Sequence, residues 1–309
     1  MKIIYMGTPE FAVPGLRAIA ESGHEVTLVV TGPDKPAGRN RNLHETPVKQ
    51  LALELNLPIL QPASLKDPHF IDDIRRLNAD IMVVVAFRIL PDELINAARL
   101  GAINLHASLL PKYRGAAPIN WALINGDKQT GITIFQIRPK VDTGDIIFQQ
   151  AVEIAEQDTY GGLYTRLSNL GAPALVSVLN KLECGKVEAI PQDPSQVSLA
   201  PKIFPQMGEI DWSKSAMSLK NLIHGLSPIP GAYSVFGKKR IKFLRACYSL
   251  DDSSEMPATI VIRDKNHMGI QTGSGILYPQ ELQSEAKKAL PVAEFLRGFP
   301  AKIGDRFQL

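Results

Sequence analysis

An amide and an imidazole stand two residues apart in the apolar run Ile103-Asn104-Leu105-His106. In a β-strand such residues share a face, about 7 Å apart, while Leu105 points to the other side. At the carboxyl end of a buried strand both polar groups open into one cleft, where they can donate hydrogen bonds to an oxygen that gains negative charge. A single polar residue in such a place ordinarily satisfies backbone groups instead. The second element is Val141-Asp142-Thr143-Gly144-Asp145, one short strand further on. An Asp brought beside His106 by a parallel sheet can hold the ring and relay a proton. The same Asp before Thr-Gly can also simply begin a turn. Asp142 is the candidate, and Asp145 is not.

The elements that must position these groups follow from periodicity. KIIYMG (2 to 7), EVTLVVT (25 to 31), NLPIL (56 to 60), DIMVVVAF (80 to 87) and GAINLHAS (101 to 108) are apolar runs of strand length, separated by helical stretches such as FIDDIRRLN. Nearly all-apolar strands alternating with helices predict an α/β fold, a doubly wound, mostly parallel sheet of the Rossmann-like kind. Its site should lie at the carboxyl ends of the strands. GITIFQI (131 to 137) and DIIFQQAVEI (145 to 154) read as late strands of the same sheet, followed by a long helix ending near Gly185.

The texture then changes. Residues 186 to 208 hold four prolines and little periodicity, the mark of a linker. Beyond one helix, SAMSLKNLIHGL, come short β-type runs with glycine-rich turns, which fit a smaller C-terminal β-barrel of OB-like form. The expected division is 1–188 for the α/β domain, 189–207 for the linker and 208–309 for the barrel.

Charge supports a division of labour. Residues 1 to 207 carry 20 Lys and Arg against 21 Asp and Glu, and residues 208 to 309 carry 14 against 10. The basic cluster Lys238, Lys239, Arg240, Lys242 and Arg245 suits a polyanion such as RNA, or merely a solvated strand face. Cys184 and Cys247 lie far apart with no ligand spacing, so neither a zinc site nor a disulfide framework is expected. The lone Gly7 of MGTPEF lacks the later glycines of a dinucleotide fingerprint, which argues against NAD or FAD. No apolar run is long enough to span a membrane, and no secretory signal is evident, so the chain reads as cytoplasmic, with no membrane partner.

INLHASLLPKYRGAAPINWALINGD, VDTGD and IIYMGTPEFAVPGL resemble the motifs of the folate-dependent formyltransferases, most closely those acting on methionyl-tRNA. The resemblance runs over nearly the whole chain. It implies Asn104, His106 and Asp142 as catalytic residues, 10-formyltetrahydrofolate as formyl donor with no metal, and methionyl initiator tRNA as acceptor, in a monomeric enzyme of translation initiation. In that chemistry Asn104 and His106 hold the oxyanion, and Asp142 passes a proton between the attacking and leaving nitrogens.

The stretch Ala86-Phe87-Arg88-Ile89-Leu90-Pro91 resembles the family's pterin-cradling loop, one residue shorter and without its glycine. Phe87, Arg88, Ile89 and Leu90 are therefore folate candidates, with Arg88 directed to solvent or to the folate glutamate tail. Ser108, Leu109, Leu110, Pro111 and Val141 would line the other wall. Arg114 would bind an anion or tie down its loop. The polar, Gly/Pro-rich stretch 31 to 49 resembles the loop that reaches the tRNA acceptor end, making Arg39 and Arg41 tRNA candidates beside Lys238, Lys239 and Arg240. The same trio also suits a sugar-nucleotide N-formyltransferase or a formyltetrahydrofolate hydrolase. A third reading is an RNA-binding protein with an inactive formyltransferase domain.

Overall fold

Ile3, Ile4, Tyr5 and Met6 are fully buried in strand β1 (Lys2–Gly7). A strand apolar on both faces belongs in the middle of a covered sheet. In the computed structural model, which describes residues 1–37 and 42–308, β1 lies inside a seven-stranded sheet. The strands that follow it are β2 (Glu25–Val30), β3 (Lys35–Ala37), β4 (Asn42–His44), β5 (Ile59–Leu60), β6 (Ile81–Val85), β7 (Ala102–His106), β8 (Arg114–Gly115), β9 (Gln129–Gln136) and β10 (Ile146–Glu153). The sheet order is β10-β9-β7-β6-β1-β2-β5. All pairings from β7 to β5 are parallel, whereas β9 runs antiparallel to β7. The strand order reverses between β1 and β6, which opens a crevice at their carboxyl ends.

Helices α1 (Val13–Ala20), α2 (Pro47–Glu54) and α3 (Pro68–Arg76) and the single turn α4 (Asp92–Ile95) connect the strands. Thr46 caps α2 by accepting the Lys49 N–H, and Asp67 caps α3 by accepting that of His69; each is followed by proline at the first helical position. The loop 31 to 49 contains regular structure that its composition does not suggest. Its arms β3 and β4 pair antiparallel, Lys35 opposite His44. The base of this hairpin is tied by Lys49 Nζ to Asp34 at 2.5 Å and by Gln61 Nε2 to Asp34 at 2.7 Å. The ammonium of Lys49 holds the Asp34 carboxyl below the usual carboxylate range.

By packing, the chain forms two compact units. The first comprises Met1–Gly115, Thr130–Val152 and Tyr164–Leu199; the second comprises Ala116–Gln129, Glu153–Leu163 and the chain from Ala200 onward. In the second unit, α5 (Pro118–Ile124) packs on α7 (Ala216–Leu226), and Asn120 Nδ2 donates to the Gly225 carbonyl at 2.7 Å. The remaining long helix is α6 (Tyr160–Glu183). After the short β11 (Leu199–Ala200), strands β12 (Ala232–Phe236), β13 (Lys239–Ser249), β14 (Ile260–Arg263), β15 (Met268–Gln271), β16 (Ile276–Ser284) and β17 (Leu290–Pro291) form an antiparallel sheet ordered β12-β13-β16-β15-β14, with β17 on β16. The chain end closes it. Phe307 N–H donates to the Ala258 carbonyl and Gln308 N–H to that of Val235, bridging the β14 and β12 sides into the expected barrel. Trp212, Phe243 and Phe307 meet at its centre, with the Trp212 indole N–H donating to Ser234 Oγ at 3.0 Å. No helix among the described residues is long and apolar enough to cross a membrane.

His224, on α7, is 3 % exposed. Its Nδ1 lies 3.1 Å from the Asp158 carbonyl, while Nε2 lies 3.0 Å from the Ala246 carbonyl and 3.3 Å from the Ala246 amide nitrogen. Burial, helped by the Lys220 charge, pushes His224 down to about 4. The unfolded chain therefore binds a proton that the folded chain refuses between pH 6.5 and 4, so this residue's contribution to stability is full above pH 6.5 and is lost on acidification through that window. The loss expected is about 3 kcal/mol by pH 4. Urea unfolding of wild type and His224→Gln across this range measures it; the variant should show a flatter profile.

Candidate active site

Asn104 and His106 sit at the end of β7, between β6 and β9 in the sheet. Leu105, on the other face, packs so closely on Gly171 of α6 that any side chain there would overlap it. That contact fixes which way the strand faces. His106 is 7 % exposed, with Phe135 of the neighbouring strand edge-on to its ring, centroids 6.5 Å apart. Its Nε2 lies 2.9 Å from the Tyr113 carbonyl. A carbonyl only accepts, so Nε2 carries a proton, and Nδ1 is the nitrogen left for chemistry. Nδ1 faces Asp142 Oδ2 at 3.9 Å. That separation exceeds a hydrogen bond, so ring orientation comes from Tyr113 rather than from a direct bond to the carboxylate.

Asp142 arrives by a route other than the parallel sheet expected. Because β9 is antiparallel to β7, the chain leaves β9 beside the start of β7, where Ile137 N–H donates to the Ala102 carbonyl. The loop must then double back to bring Asp142 to His106. Gly144 makes this path possible: a Cβ there would overlap the Gln136 carbonyl oxygen. Asp142 itself has φ 52, and Tyr113 has φ 61. Left-handed backbone at such residues costs on the order of 1 kcal/mol or more each and gathers at functional sites. Gly115 N–H donates to Asp142 Oδ2 at 2.8 Å, which aims the carboxylate.

The Asn104 side chain is half-buried and makes no hydrogen bond among the described residues. The cleft thus presents an amide with unused donors, an imidazole nitrogen and a carboxylate. Together they can stabilise a developing oxyanion and move a proton.

The loop walls divide into exposed and committed residues. Ile89 is 72 % exposed and Val141 44 %, with Phe87, Leu109 and Pro111 half-buried. Leu90 and Leu110 are core residues. Ser108 is fully buried, and its hydroxyl donates to the Lys112 carbonyl at 2.7 Å, so it closes the loop. Arg88 is partly held by the protein's own backbone. Its guanidinium donates to the Pro62 and Ala63 carbonyls at 2.9 and 3.1 Å, and Nε is buried without a partner. It borders a hollow of about 220 Å³ with Thr8, Gly32, Lys35, His44 and Thr46, at the carboxyl ends of β1, β2 and β6.

Arg114 ties down its loop, donating through Nε and Nη2 to Gln192 Oε1 at 3.1 and 2.6 Å. Arg39 and Arg41 lie outside the described residues. Lys238, Lys239 and Arg240 are exposed on the β12–β13 hairpin of the second unit, and the Arg240 guanidinium stacks 3.4 Å from the centre of the Tyr233 ring.

Residue reading passed over Tyr113, Gln192 and Ser198. Tyr113 was hidden because its backbone, not its ring, meets His106. Gln192 and Ser198 stand in the proline-rich stretch read as a linker, where no periodicity signals a role.

Comparison with known proteins bears on this cleft. The family described as Formyl transferase matches residues 1–179, and Formyl transferase, C-terminal domain, matches residues 202–300. The methionyl-tRNA formyltransferase of Alkaliphilus oremlandii is 44 % identical over 306 residues, 99 % of this chain and 99 % of its own. That of Geobacter sulfurreducens is 43 % identical over 307 residues, 99 % of this chain and 96 % of its own. Among solved structures, an N-formyltransferase from Helicobacter canadensis in complex with folinic acid and dTDP-3-aminofucose superimposes with a TM-score of 0.69 at 17 % identity, covering 92 % of this chain and 99 % of that one. At that identity the likeness speaks to the fold.

Proposed function

This chain belongs to the formyl transferase family, and we infer that it formylates methionyl-tRNA, taking the formyl group from 10-formyltetrahydrofolate and delivering it to the α-amino group of methionyl initiator tRNA. The observation that carries the chemistry is the setting of His106: one nitrogen is held by the Tyr113 carbonyl, and the other faces Asp142 beside the unused Asn104 amide.

The neutral amine attacks the formyl carbon, and the carbonyl electron pair moves onto oxygen. Asn104 Nδ2 donates to that oxyanion. His106 donates through Nδ1–H in its doubly protonated form, its Nε2–H being engaged by Tyr113. Asp142 takes the proton from the attacking nitrogen and returns it to N10 of the folate as the C–N10 bond breaks, which leaves tetrahydrofolate and formylated methionyl-tRNA. No bond to the protein forms.

The walls suit these substrates. Ile89 and Val141, apolar and exposed, offer the surface a flat pterin needs, with the half-buried Phe87 and Leu109 as further apolar lining. Lys238, Lys239 and Arg240 are assigned to tRNA phosphates, Arg240 kept extended by Tyr233. Arg39 and Arg41 are assigned to the acceptor end on the likeness of their loop.

The test offers the purified protein 10-formyltetrahydrofolate with methionyl initiator tRNA in one reaction and with amino-sugar nucleotides in another. Formylation of the tRNA alone is the expected result. Transfer to the sugar nucleotide, or release of free formate with no acceptor used, would replace this reading.

A further inference from the structure

The two residues that face the His106 ring, Tyr113 and Asp142, both hold left-handed backbone. Such backbone persists only where neighbours over-determine it. Here the neighbours come from a single stretch, residues 192 to 198. Gln192 Nε2 donates to the carbonyl of Asp142 at 3.0 Å and to that of Gly144 at 2.7 Å. Gln192 Oε1 accepts both hydrogen bonds from Arg114. Ser198 Oγ accepts the Tyr113 N–H at 2.9 Å, and its carbonyl accepts that of Arg114 at 2.9 Å. The stretch is anchored just upstream, where Ile190 and Ile146 exchange two backbone hydrogen bonds of 2.8 Å.

We propose that Gln192 is a positioning residue of the active site: its amide holds the backbone of Asp142 left-handed and thereby sets that carboxylate's distance from His106. This rests on the reading of the cleft as the formyl-transfer centre. Both donor hydrogens and the acceptor of the amide are used, and all four bonds converge on the carboxylate's support. Two reach the Asp142 loop directly. The other two grip Arg114, whose neighbour Gly115 supplies the N–H on Asp142 Oδ2. Released from Gln192, Asp142 relaxes to a negative φ, which swings its Cβ to the other side of the chain and takes the carboxylate off His106. Gln192 has no place in the oxyanion or proton steps, so its loss acts on the chemical step through Asp142 and not on substrate binding.

Two variants separate this role from simple stabilisation. Gln192→Glu keeps the length and the acceptor for Arg114 but removes both donors, and Gln192→Met keeps the length with no hydrogen bond at all. In formyl transfer to methionyl-tRNA, Gln192→Glu should lose roughly 30- to 100-fold in kcat, with KM for either substrate within about twofold, the scale of a small misplacement of a reacting group. Gln192→Met should lose at least as much. A kcat for both variants within about twofold of wild type, or a loss that falls on KM instead, overturns the proposal. A second readout needs no acceptor: imidazole nitrogen NMR signals of His106 should shift in either variant while those of His224 stay in place. Unchanged His106 signals overturn it equally. A wild-type enzyme that fails to formylate methionyl-tRNA would remove the functional reading, and the imidazole signals would still decide the role of Gln192.

Discussion

Asp142→Asn should lower kcat for formyl transfer by about three orders of magnitude while leaving the affinity for tRNA and for folate close to wild type. The substitution is chosen to spare the fold. Asn tolerates left-handed backbone as well as Asp does, and its side-chain oxygen can still accept the Gly115 N–H now held at 2.8 Å. What disappears is the capacity to take a proton from the attacking amine and return it to the leaving nitrogen. Single-turnover transfer measured beside equilibrium tRNA binding tests this directly. Turnover near the wild-type rate would place the proton relay elsewhere, with His106 Nδ1 the next group in reach.

The second large effect is expected at Asn104. Its amide makes no hydrogen bond among the described residues, so Asn104→Ala leaves no buried partner unsatisfied and should cost little stability. Removing one donor to a developing oxyanion costs about 10²- to 10³-fold in rate. Because the donor is aimed at charge that exists only in the transition state, the loss should appear in kcat with KM nearly constant. A rise in KM at constant kcat would make Asn104 a ground-state binding residue.

The trio was legible because strand periodicity is local. Alternation alone puts Asn104 and His106 on one face and Leu105 on the other, and Gly171 of α6 meets Leu105 where that rule predicts. The route of Asp142 was not legible, since the direction of β9 depends on long-range pairing that a single chain does not advertise. Arg88 shows the same limit at a loop. Its side chain is long enough for several destinations, and only the placement of the Pro62 and Ala63 carbonyls selects one. Composition is a weak guide to two stretches. Within the polar stretch 31 to 49, Lys35–Ala37 and Asn42–His44 pair as β3 and β4, because backbone hydrogen bonds between strands need no apolar pattern. The prolines around Gln192 leave no periodic pattern, and side-chain amides and single backbone bridges need none.

By itself the sequence determined the alternation of apolar strands and helices, the basic C-terminal barrel and the candidates for the reacting groups, because each is written in residue type and short-range spacing. Tertiary structure alone decided how those groups are aimed. The His106 tautomer follows from a carbonyl seven residues away in the chain, and the setting of Asp142 from an amide fifty residues away. Hydrogen bonds of that kind depend on where the backbone comes to rest, which side-chain chemistry constrains but does not spell out.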